Sequence, residues 1–211
     1  MKRNFISMWE FADQIEKYIG QGFTFIEIGA LDGKDSAYMK SRFPQARVCC
    51  FEADTDNYLK CSKLRNVEAY NHVVYNFNGE VSFYLKNQVD LHSCRNRGDE
   101  YGSNIVSKKC NTFPALTRKY HLPLPYVVKI DCEGCTYEVI QGMGSLLWNV
   151  KLLHIETEKD KFFEGQYLHD KVVRLLEDRF TCVDHLDMKI SGTDKIQCDS
   201  IWVNNDCMVS E

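Results

Sequence analysis

Apolar residues arrive in short runs of about five, each followed by a turn and then by a stretch where they recur every three or four positions. Residues 7–19 predict a leading helix, with Met8, Phe11, Ala12, Ile15, Tyr18 and Ile19 on one face and Gly20 and Gly22 at its end. Residues 23–28 predict the first strand and residues 47–52 the second. A third falls within 66–75, and a fourth over 81–85 follows the tight-turn pair Asn78-Gly79. Further strands are predicted over 126–131 and 151–156. Helices are predicted from 35 or 36 to about 42, near 56–64, and over 136–147 and 166–178. Residues 180–186 and 197–203 read as a closing antiparallel hairpin. Strands alternating with helices argue for βαβ units. The fold expected is α/β, with a mainly parallel central sheet, helices on both faces and a C-terminal antiparallel hairpin.

Composition narrows the picture. A chain of 211 residues, 44% hydrophobic and 12% aromatic, can build a real core. No linker or internal repeat divides it, so residues 1–211 are expected to form one domain, with 1–22 as a helical lead-in. The formal charge of -4 gives no general pull on phosphate backbones, and no nucleic-acid partner is expected. No apolar run approaches the roughly 18 residues of a membrane span. The basic start Met1-Lys2-Arg3-Asn4 is not followed by a signal-like apolar core, because polar groups interrupt Trp9-Glu10-Phe11-Ala12-Asp13-Gln14. A soluble, cytoplasmic protein is expected. The ten cysteines then read as free thiols, and Cys132-x-x-Cys135 lacks the second pair that a structural zinc site uses.

Three segments share one arrangement: an apolar strand ends on an acid, and a small residue follows. They are Ile26-Glu27-Ile28-Gly29-Ala30-Leu31-Asp32-Gly33, Phe51-Glu52-Ala53, and Lys129-Ile130-Asp131-Cys132-Glu133-Gly134. In an open α/β sheet, ligands bind beyond the carboxyl ends of the strands. Gly29 and Gly33 allow a sharp turn and a close backbone approach. Their Gly-x-x-x-Gly spacing is not the Gly-x-Gly-x-x-Gly of nicotinamide enzymes, which disfavours an oxidoreductase. Glu27 and Asp32 are placed to attract the ammonium of a methionine tail. Glu52, 25 residues after Glu27, is placed to accept hydrogen bonds from both hydroxyls of an adenosine ribose.

These segments resemble the FkbM-type family of methyltransferases. Residues 27–36 are similar to its first motif, acid-x-Gly-Ala-x-x-Gly-x-x-Ser, and Phe51-Glu52-Ala53-Asp54 resembles its second, where proline is usual at 53. Asn78-Gly79-Glu80-Val81-Ser82-Phe83-Tyr84 resembles its hairpin. Residues 128–138 carry the most diagnostic stretch, with cysteine at 132 where the family has valine and Cys135-Thr136 where it has Ala-Glu. Ile155-Glu156-Thr157-Glu158 also fits. The resemblance covers roughly residues 23–203.

It implies a Rossmann-like methyltransferase fold that moves a methyl group from S-adenosyl-L-methionine to a hydroxyl of a sugar, glycan or other small hydroxylated acceptor. Cofactor contacts are expected from Glu27, Gly29, Ala30, Asp32, Gly33, Ser36, Glu52, Ala53 and Asp131. A sugar hydroxyl is a very weak acid, so a base or a metal helps to remove its proton. Asp131, Glu133, His154 and Glu156 are the catalytic candidates, with Glu133 or His154 as base. Asp131 and Glu156 could hold a divalent cation such as Mg²⁺. The polar stretch 88–104 is expected to cover the acceptor through Asp90, His92, Arg95, Arg97 and Tyr101, and Tyr167, His169 and Lys171 to line the same side. The alternatives are a methyltransferase acting on nucleic acid or protein, and a catalytically silent cofactor-fold module. The absence of a Pro-Pro turn disfavours base-amine methylation, and the intact acid–glycine segments disfavour the silent module.

Overall fold

The computed structural model describes residues 5–98 and 104–208. Helix α1 (Met8–Tyr18) opens on a capping box: the Glu10 amide donates to Ser7 Oγ, and the Ser7 amide donates to the Glu10 carboxylate at 2.7 Å. There follow β1 (Thr24–Ile28), α2 (Lys34–Arg42), β2 (Arg47–Phe51), α3 (Thr55–Cys61), β3 (Glu68–Tyr70), β4 (Val73–Val74), β5 (Gly79–Leu85) and β6 (Asn104–Asn111). The chain continues through α4 (Phe113–Lys119), β7 (Tyr126–Ile130), α5 (Thr136–Met143), β8 (Val150–Glu158), α6 (His169–Leu176), β9 (Phe180–Lys189) and β10 (Ile196–Asn204).

Seven strands form the main sheet in the order β3-β2-β1-β7-β8-β10-β9. The first five in that order are parallel, while β10 runs antiparallel to both β8 and β9. From β1 the chain builds outward through β2 and β3. From β7 it builds the other way. The β1–β7 junction is therefore the switch point, where crevices open at the carboxyl ends of strands.

The period of two along each strand sorts side chains into two cores. Phe25, Val127, Leu152 and Ile201 pack with α1 and with Met39 of α2. Ile26, Ile28, Val128, Ile130, Leu153 and Ile155 pack on the other face with residues of α4, α5 and α6. Helices thus cover both faces, as the alternation implied.

Three differences from the sequence reading matter for the site. The single strand expected within 66–75 is two short strands, β3 in the main sheet and β4 in a separate three-stranded sheet of order β4-β6-β5. That small sheet, with α4, is inserted between β3 and β7. Its β6 and α4 lie where no element was expected. Gly142 of α5 packs against the insertion so closely that a Cβ there would lie 2.2 Å from the Tyr75 carbonyl oxygen. The other helices hold, although α5 gives way to a 3-10 turn after Met143 and α6 starts only at His169.

Candidate active site

At the switch point the loops after β1, β2 and β7 are stitched together. The Gly29 amide donates to Phe51 O at 3.0 Å, and the Asp131 amide donates to Ile28 O at 2.9 Å. Gly29 has φ +83°, and a Cβ there would sit 2.0 Å from the Asp131 carbonyl oxygen. Only glycine lets these loops meet. Two residues on, Leu31 is also left-handed, at φ 52°. A non-glycine residue is strained in that conformation, and such strain collects at ligand clamps. The Leu31 amide is thereby turned onto Glu52, donating to Oε2 at 2.8 Å, while the Asp54 amide donates to Oε1 at 2.7 Å. Asp54 in turn caps α3 by accepting from the Asn57 amide.

A cleft with about 950 Å³ of empty space, its open mouth included, lies above this junction. One end is lined by Gly29, Leu31, Glu52, Ala53, Asn57 and His72. The other is lined by Asp90, His92, Ser93, Asp131, Glu133 and Glu156. The insertion supplies the cover. Ser93 Oγ donates to Glu133 O at 2.6 Å, and the Arg95 guanidinium pairs with Glu138 of α5 and reaches Glu164 O at 3.1 Å. Arg97 Nη1 donates to Glu133 Oε2 at 3.1 Å, with its guanidinium 5.2 Å from the ring centres of both Phe162 and Phe163.

Residues 27–180 match the family model described as the methyltransferase FkbM domain. The chain belongs to the FkbM methyltransferase family. It is an S-adenosylmethionine-dependent methyltransferase. No curated protein matches the sequence. Among solved structures, the N-methyltransferase NodS from Bradyrhizobium japonicum WM9, in complex with S-adenosyl-L-homocysteine, is similar with a TM-score of 0.51 at 11% identity, over 93% of this chain and 87% of that one. The 1,6-didemethyltoxoflavin-N1-methyltransferase of Burkholderia thailandensis is similar with a TM-score of 0.48 at 12% identity, over 93% of this chain and 77% of that one. At such identities the NodS likeness speaks to the fold alone.

In this FkbM-family chain the cleft gathers some of the expected cofactor residues and leaves others beneath it. Gly29, Glu52, Ala53 and Asp131 line it. Glu52 fits an adenosine ribose: each oxygen is held by one amide, and a carboxylate with roughly four acceptor positions has capacity left for a diol.

Glu27 is corrected. It is buried, its Oε2 accepts from the Ser36 amide and hydroxyl at 3.0 and 2.5 Å, and burial pushes its pKa up to about 8. Held there by Ser36, it anchors the start of α2 and does not line the cleft. Asp32 pairs with the exposed Lys34 at 2.6 Å and is not among the residues that line the cleft. Ala30 is buried with Cys50 and Cys61. Gly33 packs against the end of α3, where a Cβ would lie 3.2 Å from Cys61 Sγ and 2.5 Å from Leu64 just beyond the helix. These two shape the loop from below.

Three of the four catalytic candidates converge. Asp131, Glu133 and Glu156 present carboxylate oxygens that all lie within 4.8 Å of one another. His154 does not join them. It is 3% exposed, its ring lies 5.1 Å from that of Phe11, and its Nε2 is 3.6 Å from Asp199. It sits one pleat deeper on the same strand, and α1 covers it. Among the acceptor-side residues, Asp90 and His92 line the cleft, whereas Arg95 and Arg97 hold the insertion onto α5 and Glu133. Tyr167 stacks on Tyr137, His169 bonds Thr157, and Lys171 is exposed, so none of the three lines it. Tyr101 and the rest of 99–103 lie outside the described residues.

The carboxylate cluster is electrostatically uneven. Burial favours the protonated form of Asp131, but the Lys129 ammonium at 2.9 Å overrides it and holds the carboxyl below its usual value. Glu133 is pushed well up by burial and by the charges of Glu158 and Asp131, against the pull of Arg97. Glu156 is likewise pushed up by burial and by Asp131, Glu133 and Asp199. Sequence reasoning missed Lys129, Asn57, His72 and Cys94. His72 lies two residues past β3, at the carboxyl edge of the sheet, and was missed because one strand was expected within 66–75. Lys129 was hidden because a lysine within an apolar strand reads as an exception rather than as a buried counter-ion to Asp131 and Asp35.

Proposed function

We propose that this methyltransferase transfers its methyl group to a hydroxyl oxygen on a sugar, glycan or other small hydroxylated acceptor. The Asp131–Glu133–Glu156 cluster, facing an insertion that contributes Asp90, His92 and Ser93 to the same cleft, carries the reading. S-adenosylmethionine, when bound, supplies a methyl carbon already activated by its sulfonium. The protein must align an acceptor oxygen with that carbon and take the hydroxyl proton. Glu133 is the base in this reading: its raised pKa makes its carboxylate a better proton acceptor than an ordinary glutamate, and Arg97 fixes its direction. Lys129 keeps Asp131 ionised beside it. Glu52 holds the ribose, and Asp90 and His92 hydrogen-bond acceptor hydroxyls. The reading takes residues 1–211 as one domain acting in the cytoplasm.

The test is methyl transfer from labelled cofactor to panels of sugars and small polyols, of amines, of RNA and of proteins. An O-methyl product is expected. Transfer confined to amines, RNA or protein would overturn the acceptor class. Glu133→Gln is expected to lower kcat by about 10²–10⁴-fold while cofactor binding is retained; an unchanged rate removes it as base. The three carboxylates also have the donor chemistry for Mg²⁺, which takes oxygen ligands at about 2.0–2.1 Å. Activity lost to a chelator and restored by Mg²⁺ would show that the cation takes part.

A further inference from the structure

A second cluster lies away from the cleft, on the C-terminal hairpin. Cys198 of β10 pairs directly across from Asp187 of β9, and His185 stands two residues along β9. With a period of two, all three share one face of the sheet. It is the face on which Trp202 packs, opposite to that of Asp199 and His154. One ligand-type atom from each of His185, Asp187 and Cys198 lies within 4.8 Å of the other two. His185 Nε2 is 3.4 Å from Asp187 Oδ1. Two ligands at about 2.0–2.1 Å from a tetrahedral ion stand about 3.4 Å apart.

The surroundings fit a metal as well as the three side chains do. His169, at the start of α6, is within electrostatic reach of both His185 and Asp187. Its Nδ1 meets Thr157 Oγ1 at 2.8 Å, and that hydroxyl donates to Cys198 O at 3.3 Å. Lys159 holds the Asp187 carboxylate at 2.6 Å, so an arriving ion shares or displaces that ammonium. His185 and Asp187 are 53% and 42% exposed, which leaves an entry path, while Cys198 is buried beneath them.

We propose that His185, Asp187 and Cys198 form a binding site for a zinc-class transition-metal ion. Mixed sulfur, nitrogen and oxygen donors in a compact set suit such an ion and not Mg²⁺ or Ca²⁺, which take oxygen. The ion would tie β9 to β10 at the far edge of the sheet.

Cobalt(II) is the probe, because a cobalt–thiolate bond absorbs in the near ultraviolet. The full chain is expected to take up one equivalent with that absorption, and zinc is expected to displace it and raise Tm. Cys198→Ser should abolish the absorption. His185→Ala should weaken cobalt binding by at least about tenfold, in line with the loss seen when a ligand's support is removed. Glu156→Gln, in the cleft, should leave the absorption intact. No thiolate absorption in the native chain, its survival in Cys198→Ser, or its loss in Glu156→Gln would overturn the proposal. Should Cys198→Ser fail to fold, His185→Ala and Asp187→Asn alter exposed side chains, and undiminished affinity in both would overturn it equally.

Discussion

The two rims of the cleft use the same residue type in opposite ways. On the β1–β2 rim, Glu52 has each carboxylate oxygen tied to a backbone amide, and Glu27 is tied to Ser36. On the β7–β8 rim, Asp131, Glu133 and Glu156 face one another, with Lys129 and Arg97 offsetting only part of their repulsion. The first rim is fixed in shape before any ligand arrives. The second has a charge state set by pH and by what binds. A cofactor common to a whole family calls for a preformed grip, whereas proton removal calls for a group whose pKa has been moved toward neutrality.

The sharpest way to break this comparison is Glu52→Ala. Two hydrogen bonds from ribose to a charged acceptor contribute about 1.5–3 kcal/mol each, so cofactor affinity should fall by on the order of 10²-fold or more. The cofactor-induced rise in Tm should vanish with it. Calorimetric titration measures the affinity directly. Affinity within threefold of the native value would mean that the preformed rim is not the cofactor grip.

Much of this division was legible in the sequence. Strand ends carrying an acid followed by a small residue marked Gly29, Glu52 and Asp131, because a strand's apolar run and its terminal turn are both local signals. What failed was depth. A period of two places His154 and Glu156 on one face, and they do share it. It does not say that α1 closes over the first and stops short of the second, which is a tertiary fact carried by Phe11. Asp32, in the same loop as Gly29, pairs with a lysine two residues away that the strand pattern does not single out. Of the small sheet, β5 was legible from its turn and β6 was not, because only Cys110 of β6 is fully buried. That strand is held by pairing with β4 and β5 and carries little hydrophobic pattern. The cover the small sheet provides over Glu133 was foreseen only as a polar stretch.

The second rim should reveal itself in pH dependence. Glu133 must be deprotonated to act, and its pKa is raised, so kcat should climb as pH rises through that value. Glu158 is the foremost like-charged neighbour raising it, and Glu158 itself is pushed up to about 7 by burial. Glu158→Gln removes that charge while leaving an amide oxygen for the Gly134 amide that Glu158 Oε1 now accepts. The rising limb should then move to lower pH, with the plateau rate changed by less than about threefold. A limb that stays in place, or moves upward, would show that Glu133 does not control the proton.

The smallest effect concerns the floor of the first rim. Glu27 keeps its proton to about pH 8 in the folded chain, against a usual value of 4.5. Between those two values the folded state binds more protons than the unfolded state, so this group lowers stability as pH rises from about 4.5 to about 8 and adds no further loss above. A glutamine at 27 carries no proton to lose, and its carbonyl oxygen can still accept from the Ser36 amide. Glu27→Gln should therefore match the native Tm near pH 5 and exceed it by several degrees near pH 8.5, with Lys129 still paired to Asp131 and Asp35. Scanning calorimetry across that range decides it. A constant difference, or one that shrinks with pH, would place an ionised Glu27 under the cofactor loop and reopen its role in drawing the ammonium.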